Sequence, residues 1–182
     1  MKKLVALAFC CATAAILLTS CSGSGASGEE KLGLGVVTSI DSSAAATDEA
    51  GSKGQVDSLI AAVTVDASGK ITKCRIDSAQ TVVQFSKEGA IESDVSAIVK
   101  SKYELKDEYG MKVASGIGKE WYEQADAFAA WCVGKTVDQV TGLQVKAVNE
   151  EHTAVPDIPE LAASVTISVE DFIKAVEKAV AN

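Results

Sequence analysis

From Leu32 onward the apolar residues fall in short runs separated by clusters of small and polar residues, the pattern of strands joined by turns. Leu34 to Ile40 reads as a short strand, and Ser42 to Gly54 is small and polar enough to be a loop. Leu59 to Val65 is apolar and rich in β-branched residues, and Lys70 to Ile76 follows as its partner strand. The four residues between them, Asp66-Ala67-Ser68-Gly69, predict a turn. Asp can bond its own backbone there, and Gly tolerates positive φ. Thr81 to Phe85 and Ala90 to Glu92 flank Lys87-Glu88-Gly89 and suggest a further hairpin.

The period then changes. Ser101-Lys102-Tyr103-Glu104 fits a capping box, which predicts a short helix running to Tyr109 and stopping at Gly110. After Gly118, Trp121, Ala125, Phe128 and Cys132 recur at helical spacing, and Gly134 marks the end of that helix. Asp138 to Gly142 reads as a turn or a second short helix, and Val148 to Leu161, with both prolines, as an ordered loop. Val165 to Ser168 predicts a strand. Asp171 to Ala181 predicts a closing helix with Phe172, Ala175, Val176 and Ala179 on one face. The order predicts an α+β fold: an antiparallel β-meander with helices packed against it.

The N-terminal pattern is of another kind. Met1-Lys2-Lys3 precedes an apolar run from Leu4 to Leu18, too short to span a bilayer as a stable helix. It ends in Leu18-Thr19-Ser20-Cys21. Small residues ahead of a cysteine are what a lipoprotein signal needs, because the thiol is lipidated before the leader is cut. Residues 1–20 are therefore expected to be a signal peptide and Cys21 a lipid attachment point, holding the protein to a bacterial membrane on its extracytoplasmic side, at the cell surface or in the periplasm. Ser22 to Glu30 reads as a flexible Gly/Ser tether, and residues 31–182 as one domain.

Without Lys2 and Lys3, fifteen basic residues face 25 acidic ones, a balance of −10. That acidity argues against nucleic acid and anionic headgroups as partners. Cys74 and Cys132 remain beyond the leader and anchor. Two readings stay open for them: a disulfide formed in an oxidising compartment, or two buried free thiols. His152 is the only histidine and there is no Cys-x-x-Cys, so zinc and haem lack ligands. No Gly-x-Ser-x-Gly elbow occurs, and no autonomous catalytic site is expected.

Ser115-Gly116-Ile117-Gly118-Lys119 directly precedes a predicted helix. Free N–H groups and the helix dipole make such a place a potential anion site, with charge from Lys112 and Lys119; the plainer alternative is a glycine-rich N-cap. Aromatic residues cluster from Tyr103 to Trp131. Trp121 and Phe128 fall on the buried stripe, whereas Tyr122 and Trp131 flank it and are the better candidates for a pocket or partner face.

Several segments together resemble the FMN-binding domain family, which includes periplasmic flavin subunits of Rnf-type complexes and lipoproteins of extracellular electron transfer. Ala62 to Thr72 resembles its opening hairpin, and Gly116-Ile117-Gly118 before a Trp-bearing helix its Gly-Leu-Gly segment. Val137-Asp138-Gln139-Val140-Thr141-Gly142 is similar to its Asp-x-x-Ser/Thr-Gly-Ala-Thr motif, and Val165 to Val180 to its closing strand and helix. The resemblance implies non-covalent FMN, with Gly116, Gly118 and Lys119 cradling the phosphate and Asp138, Thr141 and Gly142 on the motif side, relaying electrons to a membrane redox partner. Gln144 stands where many members carry the flavinylated Thr, Leu143 replaces Ala, and some twenty residues intervene before the closing strand, so covalent attachment is not expected. The alternative is a ligand- or protein-binding lipoprotein on a degenerate form of that fold. A Cys21→Ser chain is expected to lose radioactive palmitate labelling and to leave the membrane fraction; retention of both would remove the anchor.

Overall fold

The computed structural model describes residues 29–150 and 152–182, so the leader, Cys21 and most of the tether lie outside the described residues. Three long strands, β1 (Lys31–Ser39), β2 (Lys53–Val65) and β3 (Ile71–Gln84), form an antiparallel sheet in the order β1-β2-β3. Helices α1 (Lys102–Leu105), α2 (Trp121–Cys132), α3 (Val137–Thr141), α4 (Pro159–Ala162) and α5 (Glu170–Ala181) follow, with a two-residue pair, β4 (Val145–Lys146) and β5 (Val155–Pro156), between α3 and α4. The fold is α+β, an antiparallel sheet with helices packed against it, as the sequence pattern implied.

The β2–β3 turn forms as the sequence suggests. Asp66 Oδ1 accepts from the Ser68 N–H (2.8 Å), the Ser68 hydroxyl (2.6 Å) and the Lys70 N–H (3.0 Å), and Gly69 takes a φ of 78°. Those bonds, the Ser68 hydroxyl foremost, hold the Asp66 carboxyl below the usual carboxylate range. Just beyond the turn the register slips: Val65 pairs with Ile71 but Thr64 with Lys73, leaving Thr72 as an extra residue. Its hydroxyl lies 2.6 Å from that of Thr64. The bulge changes the parity of the strand. It thereby puts Ile71 on the same inward face as Cys74, Ile76 and Ser78.

Three expectations are corrected. β2 begins at Lys53, not Leu59, because its polar first half pairs in register with Ser78 to Gln84. β3 runs unbroken to Gln84, so the second hairpin shrinks to one bridge, Phe85 with Ile91, around Ser86 to Ala90. Val165 to Ser168 is not a strand. Its burial does alternate, with Val165, Ile167 and Val169 buried, but the Thr166 N–H donates to a side-chain amide (Gln124 Oε1, 2.9 Å) and not to a neighbouring strand. Alternation reports which residues face the core; it does not report where the backbone donors go.

The expected helices form, with one shortened. Ser101 and Glu104 make the reciprocal cap of α1, but α1 ends at Leu105, where Lys106 takes a φ of 48°, and a separate 3₁₀ turn (Lys106–Tyr109) leads to Gly110 in the left-handed region. On α2, Trp121, Ala125, Phe128 and Cys132 are buried, and on α5, Phe172, Ala175, Val176 and Ala179. Phe172 joins the two helices, packing edge-on against Trp121 (5.7 Å between centroids) and Phe128 (5.4 Å). The core lies between these helices and the inward face of β2 and β3, at Ala61, Val63, Ile71 and Ile76.

α5 reaches the sheet only because β1 carries Gly33 and Gly35. A Cβ on Gly33 would sit 1.7 Å from the Ala179 carbonyl oxygen, and one on Gly35 1.9 Å from that of Ala175. The helix also covers the outer edge of β1, where Lys178 Nζ donates to Val36 O (2.9 Å) and Asn182 Nδ2 to Leu34 O (3.1 Å). Gly35→Ala must push the helix away and is expected to cost about 2 kcal/mol or more. Gly54→Ala, where a new Cβ finds room 3.8 Å from Phe85, is expected to change stability by less than about 1 kcal/mol. Urea denaturation of both variants checks the contrast.

Candidate ligand-binding site

The inward face of β2 changes character along its length. Lys53 Nζ donates to Gln55 Oε1 (2.8 Å), and Gln55 Nε2 donates to both carboxylate oxygens of Asp57 (2.9 and 3.2 Å). From Leu59 onward the same face is apolar. β1 makes the change between Val37 and Ser39, and β3 between Ile76 and Ser78. The helices stop covering the sheet where its side chains turn polar, and a cleft of about 390 Å³ opens there. Ser39, Asp57, Leu59 and Ser78 form its floor, and Trp121 and Phe172, at the starts of α2 and α5, form its apolar wall.

Charge in the cleft is mostly negative. Asp41, Asp57, Glu170 and Asp171 line it against a single cation, Lys102. Lys174 engages Glu170 (3.0 Å) and Asp171 (3.4 Å). The Lys102 ammonium lies over the Tyr109 ring (4.8 Å) and the Trp121 ring (5.5 Å), held by aromatic faces. Ser78, more than nine-tenths buried as a residue, lies on the floor, and no buried side-chain polar atom among the described residues lacks a partner.

A second cleft, about 350 Å³, holds the glycine segment singled out in the sequence. Ser115 and Gly116 line it with Met111, Gln124, His152 and Thr166. Gln124 is fully buried and fully engaged. Its Nε2 donates to Ser115 Oγ (3.4 Å) and Lys119 O (3.3 Å), and its Oε1 accepts from the Thr166 N–H and hydroxyl. It pins the glycine segment and the 165–168 segment to α2. This role left no sequence signal, since a glutamine on a helix facing the core reads only as an interruption of the apolar stripe.

The positive end of α2 is already occupied. Glu120, 2 % exposed, is the N-cap, and its carboxylate accepts from the Met111 N–H (2.8 Å), the Lys112 N–H (3.0 Å) and the N–H of Glu123. The anion expected there is the protein's own, and a phosphate would meet it as a like charge. Gly118 sits at φ 62°, its N–H donating to Ser115 O, in a tight turn.

Of the six residues expected to hold a cofactor, Gly116 lines the second cleft, and Gly118, Lys119, Asp138, Thr141 and Gly142 line neither of these two clefts. Gly116, Gly118 and Lys119 precede α2, whereas Asp138, Thr141 and Gly142 lie in and after α3, beyond its other end. A helix of twelve residues, about 18 Å long, lies between the two groups along the chain. In α3 the polar groups bond locally: the Thr141 hydroxyl and the Gly142 N–H both donate to Asp138 O. Tyr122 stands edge-on to Tyr103 and bonds Asp107, and Trp131 packs on Phe128 beneath Lys135; neither lines these two clefts. His152 accompanies the glycine segment, without a carboxylate beside it in that cleft.

No family model, curated protein or solved structure matches the chain. Gln124→Met keeps the length of the side chain but leaves the Thr166 N–H without an acceptor. It is expected to cost about 1–3 kcal/mol, read as a lower denaturation midpoint, with the 165–168 amides exchanging faster with solvent.

Proposed function

We propose that the chain is a lipid-anchored, extracytoplasmic binding module without catalysis of its own, and that a small cationic ligand, of the amine class, enters the cleft between the polar end of the sheet and the starts of α2 and α5. The observation that carries this reading is the cleft itself, lined by Asp41, Asp57, Glu170 and Asp171 and walled by Trp121 and Phe172. A protonated amine would pair with Asp57, its alkyl part would lie against Trp121 and Phe172, and Ser78 would accept a second N–H. The four carboxylates would raise the local concentration of cations before contact. Attachment through Cys21 would hold the cleft near the membrane on which such a ligand arrives.

Non-covalent FMN is the second reading. It is favoured by Ser115 and Gly116 lining the second cleft and opposed by the Glu120 carboxylate at the head of α2. If FMN binds, the isoalloxazine supplies the redox chemistry, and the chain's own contribution is to hold it and exclude water.

Full-length protein in detergent, titrated with spermidine, is expected to show saturable binding and a change in tryptophan emission. Asp57→Asn should weaken that binding by about tenfold, the loss of one charge-assisted contact. Absence of heat and of any emission change with spermidine would remove the amine reading. Saturable quenching of FMN fluorescence by the unaltered protein would put the flavin reading in its place.

A further inference from the structure

Cys74 lies on the inward face of β3, and Cys132 is the last residue of α2. The chain brings them together by pairing its own backbone. After α2, the Gly134 N–H donates to Ile71 O (2.7 Å) and the Ile71 N–H to Lys135 O (2.8 Å), and Lys70 bridges Thr136. The end of the helix is thus laced to the start of β3, three residues before Cys74. Cys74 pairs with Val63, a core residue, and so shares the inward face of the sheet. Both residues are free thiols, and Cys74 packs against the core cluster that contains Cys132, across the sheet–helix interface. Cys132 is wholly buried in the core, and Cys74 is half-buried at its margin.

We propose that Cys74 and Cys132 form a thiol–disulfide exchange site, closed by a small disulfide oxidant into a bond that locks the end of α2 to β3. The accessible partner reacts first. The Cys74 thiolate attacks one sulfur of the oxidant, a low-molecular-mass disulfide such as oxidised glutathione, and expels one thiolate. The Cys132 sulfur, losing its proton, then attacks Cys74 Sγ and expels the second. Two protein thiols are oxidised, one oxidant disulfide is reduced to two thiols, and the two protons pass to those products. Exposure favours this order, since Cys74 is half-buried and Cys132 wholly buried; contact between the two also holds the Cys74 thiol below its ordinary value and, with burial, pushes Cys132 up. The bond would join the two secondary structures that frame the core, so its effect is on the whole domain. The inference stands on the packing of β3 and α2 and does not depend on the ligand in the cleft or on where the chain resides.

Full-length protein incubated with oxidised glutathione, then alkylated and digested without reduction, tests it. The expected result is a peptide pair joined through Cys74 and Cys132, with a melting temperature raised by roughly 10 °C, the effect of closing a loop of this length. Cys132→Ala should instead retain glutathione on Cys74, and Cys74→Ser should leave Cys132 alkylated only after unfolding. A persistent glutathione adduct on Cys74 in the unaltered protein, or both thiols recovered free after exposure to the oxidant, would overturn the proposal.

Discussion

The close approach of α5 to β1 is the contact on which the rest of the described structure depends. Backbone touches backbone at Gly33 and Gly35, and no side chain larger than hydrogen fits. That proximity lets Phe172 reach past the sheet to Trp121 and Phe128, which gathers α2 and α5 over one core. It also places the first turn of α5, with Glu170 and Asp171, at the mouth of the principal cleft. A wider spacing would loosen the core and open the cleft together. Edge protection follows from the same contact, because Lys178 and Asn182 satisfy β1 carbonyls that a neighbouring chain would otherwise pair with.

Polar groups divide the molecule's work. Where they are fully engaged they build structure. Gln124 ties three segments with both ends of its amide, and Glu120 caps α2 while holding the Met111 and Lys112 amides. Where they line a cleft, as Asp41, Asp57 and Ser78 do, they remain open to a ligand. The head of α2 shows why the difference matters: glycines before a helix look like an anion site until a buried carboxylate from the same chain takes the donors. The pair at Cys74 and Cys132 is a third case: two free, weakly polar thiols at the sheet–helix interface that only an added oxidant would join.

Much of the local structure could be read in advance because it rests on neighbours in sequence. The Asp66–Gly69 turn is made by one carboxylate and the amides two and four residues on. The Ser101–Glu104 cap and the buried stripes of α2 and α5 follow from spacing alone. What was misread shares one cause. The length of β2 and β3 is decided by pairing between polar segments with no apolar pattern of their own, and Val165 to Ser168 is strand-like in burial while its amide is claimed by Gln124, 42 residues away. The candidate site was legible only in pieces. Trp121 and Phe172 were seen as core, and the glycine segment was seen without the carboxylate that fills it.

By itself the sequence determined the fold class, the turn and cap positions, the faces that α2 and α5 bury, and the acidity of the chain, because periodicity and short-range hydrogen bonding depend on residues a few places apart. Tertiary structure alone decided that Ser39, Asp57, Ser78 and Trp121 share a cleft, that Glu120 occupies the head of α2, and that Cys74 meets Cys132. Each of these joins residues from different elements. Which side chains meet is set there by the bulge at Thr72, the glycines of β1 and the lacing of α2 to β3, none of which a pattern of hydrophobicity encodes.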